Sequence, residues 1–299
     1  MFEARLYKRL GKGMVKCLAC SWKCKIADGK AGVCGVRKNE KGKLFLLVYG
    51  RPTGVAIDPI EKKPLYHFLP GTGILSLGTI GCNFKCEFCQ NWFESQKREI
   101  VSEFVGPEEI VKVAVENRTP SIAFTYNEQT IWTEYAVEIM KIAKKLGIYG
   151  VYVSNGYMTN ETLDYLESYI DAYNIDLKSF SEEYYQKICH ARLEPVLKNI
   201  KEIYKRKKWL EISTMLIPGR NDTDWEIRKM AEFICRVSST IQWHIFAARP
   251  EYKMMEIKAM TRERLIEVEE IGRKVGLKYV YGGKTIRPDY KEKMEGVWE

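Results

Sequence analysis

From residue 70 onward, short apolar runs alternate with longer segments of helical period, and this alternation restricts the folds open to the chain. Candidate strands are Ile74–Leu77, Ser121–Thr125, Ile148–Val153, Ala172–Asp176, Trp209–Met215 and Ile241–Phe246, rich in Ile, Val, Tyr and Phe, with a further one at Lys278–Tyr281. Between them the spacing predicts helices over Pro107–Asn117, Ile131–Leu146, Asn160–Tyr169, Ser181–Arg206 in two pieces, Asp224–Arg236 and Thr261–Val275. Pro107 suits a first helical turn, and Gly147 and Gly276 suit helix stops. Six strand–helix repeats call for a parallel sheet with right-handed crossovers, in an α/β barrel or a doubly wound sheet. An eight-fold barrel takes about 250 residues and roughly 215 remain here, so the expectation is an α/β fold built as a partial (β/α)6 TIM-like barrel. The first seventy residues read as a small irregular unit with one apolar strand at Leu44–Tyr49, joined to the rest through Gly50–Pro70. The expected division is a cysteine-rich basic module at 1–63, a core domain at 64–285 and a C-terminal tail at 286–299.

The net charge of +9 is unevenly spread. Residues 1–63 hold 15 Lys+Arg and 5 Asp+Glu, whereas the remainder holds 33 and 34. No apolar run approaches the ~20 residues of a membrane span, and the first residues, MFEARLYKRLGKG, lack the apolar centre of an export signal. A cytoplasmic, reducing location away from membranes is therefore expected, which argues against disulfides among the nine cysteines.

Three of these cysteines follow the first candidate strand, in Gly78-Thr-Ile-Gly-Cys82-Asn-Phe-Lys-Cys86-Glu-Phe-Cys89-Gln-Asn-Trp92. Thiolates at Cys-x3-Cys-x2-Cys spacing form one compact soft-ligand face suited to an iron–sulfur cluster or zinc. A four-iron cluster normally takes four cysteines. With three, one iron keeps a coordination position for a substrate or cofactor. Gly78 and Gly81 would let the backbone approach the group, and Phe84, Phe88 and Trp92 would shield it from water.

Catalytic residues of parallel barrels collect at the C-terminal ends of strands. Here those ends read Thr125-Tyr126-Asn127-Glu128, Ser154-Asn155-Gly156-Tyr157, Asp176-Leu177-Lys178, Ile217-Pro218-Gly219 and Trp243-His244-Ile245-Phe246, with Arg249 beyond. Together they could meet a zwitterionic nucleoside, which needs an anion for its ammonium, a cation for its carboxylate and hydroxyl or amide partners for its ribose.

CNFKCEFC resembles the signature of radical S-adenosylmethionine (SAM) enzymes, including the aromatic residue before the last cysteine. The resemblance implies a [4Fe-4S] cluster on Cys82, Cys86 and Cys89, reductive cleavage of SAM to a 5′-deoxyadenosyl radical, and hydrogen abstraction from a substrate. It also implies roles for the strand ends. Asn127 and Glu128 stand where the family has Gly-Gly-Glu near the methionine ammonium. Ser154-Asn155-Gly156 is similar to the ribose-contact segment of glycyl-radical-enzyme activases, and Asp176-Leu177-Lys178 to their Asp-Leu-Lys, whose lysine faces the SAM carboxylate. Ile217-Pro218-Gly219 resembles their adenine-flanking segment, and His244 a histidine close to SAM. Asn127 departs from the family's glycine, Gln129 from a common proline, and Val153 from an aspartate of the pyruvate formate-lyase activases.

Over residues 14–282 the chain most resembles the radical SAM member of the AmmeMemoRadiSam system, through Cys17-x2-Cys20-x3-Cys24, Gly32-Val-Cys34-Gly-Val-Arg37, GTIGCNFKCEFCQNW and Pro64-Leu-Tyr-His-Phe-Leu69. This implies an electron-donor protein and a protein substrate or Memo-like partner. The end RPDYKEKMEGVWE lacks the cysteines that often follow in that family.

Cys17, Cys20, Cys24 and Cys34 could close a four-thiolate zinc site or hold a second iron–sulfur cluster, or remain reduced and unligated. Cys189 and Cys235 fall in predicted helices and read as packing thiols, and His67 and His190 as structural or solvent-facing. The basic surplus around the N-terminal thiolates offsets an anionic centre, or marks a docking surface for an acidic protein or for nucleic acid. No stacking motif of the known RNA modules is present. The alternatives to an activase are thus an RNA-modifying radical SAM enzyme and a non-enzymatic, metal-stabilised binding protein.

Overall fold

The computed structural model describes residues 1–96, 99 and 102–282. The N-terminal part forms six short strands: β1 (Phe2–Glu3), β2 (Tyr7–Gly11), β3 (Met14–Cys17), β4 (Lys25–Ile26), β5 (Arg37–Glu40) and β6 (Lys43–Leu46). They make two antiparallel sheets, ordered β2-β3-β4 and β1-β6-β5. The sequence predicted one strand here because segments of two to five residues carry too little periodicity to read.

The core is one eight-stranded sheet. It comprises β7 (Gly54–Pro59), β8 (Gly73–Gly78), β9 (Ser121–Phe124), β10 (Tyr149–Ser154), β11 (Ala172–Asp176), β12 (Trp209–Leu216), β13 (Gln242–Ala247) and β14 (Val280–Tyr281), hydrogen-bonded in chain order. Strands β8 to β14 are parallel, and the fold is the expected α/β partial barrel. Strand β7 lies inside the predicted module and connection and pairs antiparallel with β8 over its whole length. Its exposed Val55, Ala56 and Ile57 lack the apolar alternation of a core strand. The predicted tail, 286–299, lies outside the described residues.

The helices are α1 (Trp92–Gln96), α2 (Pro107–Glu116), α3 (Thr133–Ala143), α4 (Asn160–Leu166), α5 (Glu182–Tyr184), α6 (Glu194–Lys205), α7 (Asp224–Val237) and α8 (Arg262–Val275). Thr159, Thr223 and Thr261 cap α4, α7 and α8 by accepting the N–H three residues on. Gly276 ends α8 in a left-handed conformation. Among the described residues no helix is long and apolar enough to cross a membrane.

Segment 64–68 crosses beneath the strands at their N-terminal ends. The N–H groups of Tyr66 and His67 donate to the two oxygens of Glu211, early in β12, at 2.9 and 3.0 Å. Phe68 packs on Tyr149 and Trp209, which open β10 and β12. The His67 ring hydrogen-bonds the Tyr281 hydroxyl of β14, and Asn174 Nδ2 donates to the Pro64 carbonyl. This strap therefore runs beneath β10 to β12 and reaches the edge strand β14.

The N-terminal unit is seated on the barrel through a buried ion pair. Arg37 donates to both oxygens of Glu134 on α3 and to the Ile131 carbonyl, and Glu134 Oε1 also accepts the N–H groups of Arg5 and Leu6.

Candidate active site

The loop after β8 carries Cys82, Cys86 and Cys89 at the top of the barrel. Two glycines are required for it to run there. A Cβ on Gly78 would stand 2.7 Å from the Thr125 carbonyl oxygen. Gly81 has a φ of +88°, and its Cβ would meet Val36 Cγ1 at 2.8 Å and the Cys34 carbonyl oxygen at 2.9 Å. Donors are aimed at the sulfurs: the Phe84 N–H points at Cys82 Sγ at 3.4 Å, and Ser95 Oγ lies 3.2 Å from Cys89 Sγ. Asn91 N–H also donates to Cys89.

The three cysteines line one wall of a cavity of about 820 Å³. Its other walls include Asp58, Lys63, Asn127, Glu128, Asn155, Asp176, Lys178, Met215, Phe246 and Arg249, and it reaches down to Pro64 in the floor. Phe84 and Phe88 are buried beside the cysteines as expected. Trp92 is not: it is 39% exposed, stacks on Tyr252 and donates to Glu251 at the surface.

Lys178 Nζ donates to Asp176 Oδ2 at 2.8 Å. Burial alone would drop its pKa, but Asp176 and the Cys86 sulfur outweigh burial and hold the ammonium well above its ordinary value. Glu128, at the end of β9, has its carboxyl pKa pushed up by burial, opposed by hydrogen bonds. It accepts from the Thr130 N–H and hydroxyl, from Ser154 Oγ at 2.8 Å and from the Asn155 N–H at 2.8 Å. Asn127 holds the start of the cysteine loop, its Nδ2 donating to the Gly81 carbonyl at 2.9 Å and to Thr79 Oγ1 at 3.0 Å. Asn155 Nδ2 donates to Asn83 Oδ1 at 2.8 Å, tying the end of β10 to the same loop.

Of the strand-end residues, Asn127, Glu128, Asn155, Asp176 and Lys178 thus reach the cavity. Ser154, Ile217, Pro218, Gly219 and His244 are not among its lining residues. Ser154 is buried and spends its hydroxyl on Glu128. His244, expected close to SAM, sits three residues short of the end of β13, lower in the barrel, fully buried, with Nε2 2.6 Å from Glu211 Oε2. Motif position alone does not report depth along a strand.

Cys189, expected as a packing thiol, is fully buried in the core, ends a π-helical turn over Tyr185–Cys189 and sets its sulfur beside that of Cys86. The same turn accepts the Lys85 N–H on the Cys189 carbonyl and the Glu87 N–H on the Ile188 carbonyl. Nothing in its spacing from the other cysteines signalled this.

Among the described residues, no three or more His, Cys, Asp or Glu side chains converge as ligands of a single ion do. The Cys82–Cys86–Cys89 set fits a larger thiolate-bound group instead: it is backed by aromatic rings, given N–H and O–H donors, and opens on a cavity of nucleotide size. Asn83 Nδ2, buried beside Cys82, has no hydrogen-bond partner among the described residues.

Residues 77–234 match the Radical SAM superfamily model. The chain is 38% identical over 288 residues to the uncharacterized protein MJ0808 of Methanocaldococcus jannaschii, covering 95% of this chain and 86% of that one. It is 22% identical over 208 residues to the pyruvate formate-lyase-activating enzyme of Clostridium pasteurianum, covering 64% and 86%. The fold superposes on Streptococcus suis SuiB bound to precursor peptide SuiA with a TM-score of 0.55 at 17% identity, covering 79% and 53%. By the family match over residues 77–234, this chain belongs to the radical SAM superfamily, whose members bind a [4Fe-4S] cluster and S-adenosylmethionine.

Proposed function

We propose that this chain is an enzyme that abstracts a hydrogen atom from a protein substrate, as glycyl-radical-enzyme activases do. The observation that carries the reading is the cavity with three thiols on one wall and Glu128, Asp176, Lys178 and Arg249 on the others. When bound, the cluster and SAM supply a one-electron cleavage of a carbon–sulfur bond and a 5′-deoxyadenosyl radical.

In this reading Cys82, Cys86 and Cys89 hold the cluster. The Phe84 and Asn91 N–H groups and the Ser95 hydroxyl stabilise their thiolates, a lever on cluster potential. Phe84 and Phe88 exclude water. Lys178, fixed by Asp176, presents its ammonium to the SAM carboxylate. Glu128 presents negative charge toward the ammonium, and Asn155 an amide toward the ribose. Ser154 acts through Glu128 rather than by contact.

A protein substrate is favoured by the name of the Clostridium relative and by the peptide-bound SuiB. The N-terminal cysteine motifs support the finer likeness to the AmmeMemoRadiSam member, and with it an electron-donor protein and a Memo-like partner. RNA modification has only the basic N-terminal surplus behind it.

Anaerobic reconstitution with iron and sulfide tests the reading. The chain should turn brown and, with SAM and reductant, release 5′-deoxyadenosine, and a folded Cys86→Ala variant should release none. Normal release by that variant overturns the assignment. Turnover with isotopically labelled candidate proteins and RNAs, following hydrogen into 5′-deoxyadenosine, separates the substrate classes.

A further inference from the structure

The four N-terminal cysteines are not used by this mechanism, yet the fold brings them together. Cys17 ends β3, and its N–H donates to the Cys24 carbonyl at 2.9 Å, pairing the two across a short loop. A tight turn follows Cys20, closed by the Lys23 N–H on the Cys20 carbonyl with Lys23 at a φ of +46°. A second turn presents Cys34, closed by the Gly35 N–H on the Gly32 carbonyl with Gly35 at a φ of +80°. Cys20 interacts electrostatically with Cys17, Cys24 and Cys34, so all four sulfurs share one neighbourhood. All four are free thiols, and three of them are buried.

The backbone around these sulfurs is arranged as it is around Cys82 and Cys89. Each of those two accepts the N–H of the residue two positions on, from Phe84 and Asn91. In the N-terminal unit Cys17 accepts from Ala19, Cys20 from Trp22, and Cys34 from Val36 and Arg37. Backbone donors turned onto sulfur serve a thiolate far better than a thiol, because charge-assisted hydrogen bonds are about twice as strong as neutral ones. Arg37, fully buried and paired with Glu134, lies within electrostatic reach of Cys17 and Cys34.

The unit also needs a staple. Its separate apolar cluster has only seven buried residues, Cys17 among them, and its strands run two to five residues. A unit this small rarely holds its fold by core packing alone.

We propose that Cys17, Cys20, Cys24 and Cys34 form a second, four-thiolate centre, holding an iron–sulfur cluster rather than a single ion, directly behind the Cys82–Cys86–Cys89 loop. Four thiolates are the usual ligand set of such a cluster. The contact between the two regions is direct, through the Cys34 carbonyl against Gly81 and the Trp22 indole against Asn83. The proposal stands apart from the assignment of the first site.

The test is elemental analysis of the full-length chain, purified anaerobically and then loaded with iron and sulfide. A variant with Cys82, Cys86 and Cys89 all changed to Ala should still hold about two to four irons per chain. Cys20→Ser and Cys24→Ser in that background should lose this complement. Alkylation of the wild-type chain gives a second readout independent of variant folding: Cys17, Cys20, Cys24 and Cys34 should be protected until a chelator strips the metal. A triple variant with no stoichiometric iron, or N-terminal cysteines alkylated equally with and without chelator, overturns the proposal. Loss of 5′-deoxyadenosine release with the second metal intact counts against the first site only.

Discussion

Trp22 donates its indole N–H to the carbonyl oxygen of Asn83 over 2.8 Å, so a side chain of the N-terminal unit fixes the backbone one residue beyond Cys82. The same indole lies against Tyr157, with ring centroids 5.6 Å apart. Trp22→Phe keeps a ring there and removes the donor. The expected cost is about 1–2 kcal/mol in urea unfolding, together with faster iron loss from the reconstituted chain to a chelator. Unchanged iron release would show that the loop needs no support from this side.

The Arg37–Glu134 pair is fully buried and anchors the unit to α3. Burial would raise the Glu134 pKa, but Arg37 overrides it and holds the carboxyl below its ordinary value. Removing one partner leaves an uncompensated buried charge, so Arg37→Met or Glu134→Leu should each cost about 3–5 kcal/mol. The double variant should recover a large part of that loss. A double-mutant cycle by chemical denaturation checks both, and additive losses would mean that the two charges do not interact.

Asp58 carries a pH signature. Partial burial raises its pKa, but Lys63, Lys62 and the Tyr126 hydroxyl pull it down to about 2, against an ordinary value of 3.8. The folded state then binds fewer protons than the unfolded one between these values. Its contribution is therefore complete above about pH 4 and is lost as the pH falls toward about 2. Asp58→Asn should be less stable than wild type at pH 7, and the gap should narrow below pH 4. Unfolding curves at pH 7, 4 and 2.5 test this; a constant gap contradicts the pKa assignment.

The Cys189 sulfur sits beside that of Cys86, one of the proposed cluster ligands, and a thiol there would donate to the ligand thiolate. Hydrogen bonds to ligand sulfur stabilise the more negative, reduced cluster. Cys189→Ala should therefore shift the midpoint potential of the loaded cluster to more negative values and leave its iron content unchanged. A potential equal to wild type in a redox titration would reduce Cys189 to packing.

The strand–helix alternation was readable because each buried parallel strand is a continuous apolar run. Ala172–Asp176 was predicted residue for residue, and the other barrel strands to within one or two. Strand β7 was not readable, since an edge strand with exposed Val55, Ala56 and Ile57 is set by pairing with β8 rather than by its own pattern. At the site, Asn127, Glu128, Asn155, Asp176 and Lys178 follow their strands directly or end them, and their motifs carried them to the cavity. His244 lies inside β13, where side-chain direction and height depend on register against neighbours, and Ser154, though it ends β10, spends its hydroxyl on Glu128. The Cys86–Cys189 contact joins residues a hundred positions apart through a π-helical turn. No local spacing encodes such a contact.

The strap at Pro64–Phe68 makes the barrel a cup rather than a tunnel. With the floor tied to Glu211 and Tyr281, a small molecule held against the cysteines shares its way out with whatever covers the mouth. Traffic through a single doorway is last in, first out. In the proposed reaction a bulky partner seated on that mouth would hold SAM in place, and methionine and 5′-deoxyadenosine would leave by the mouth only after it departs.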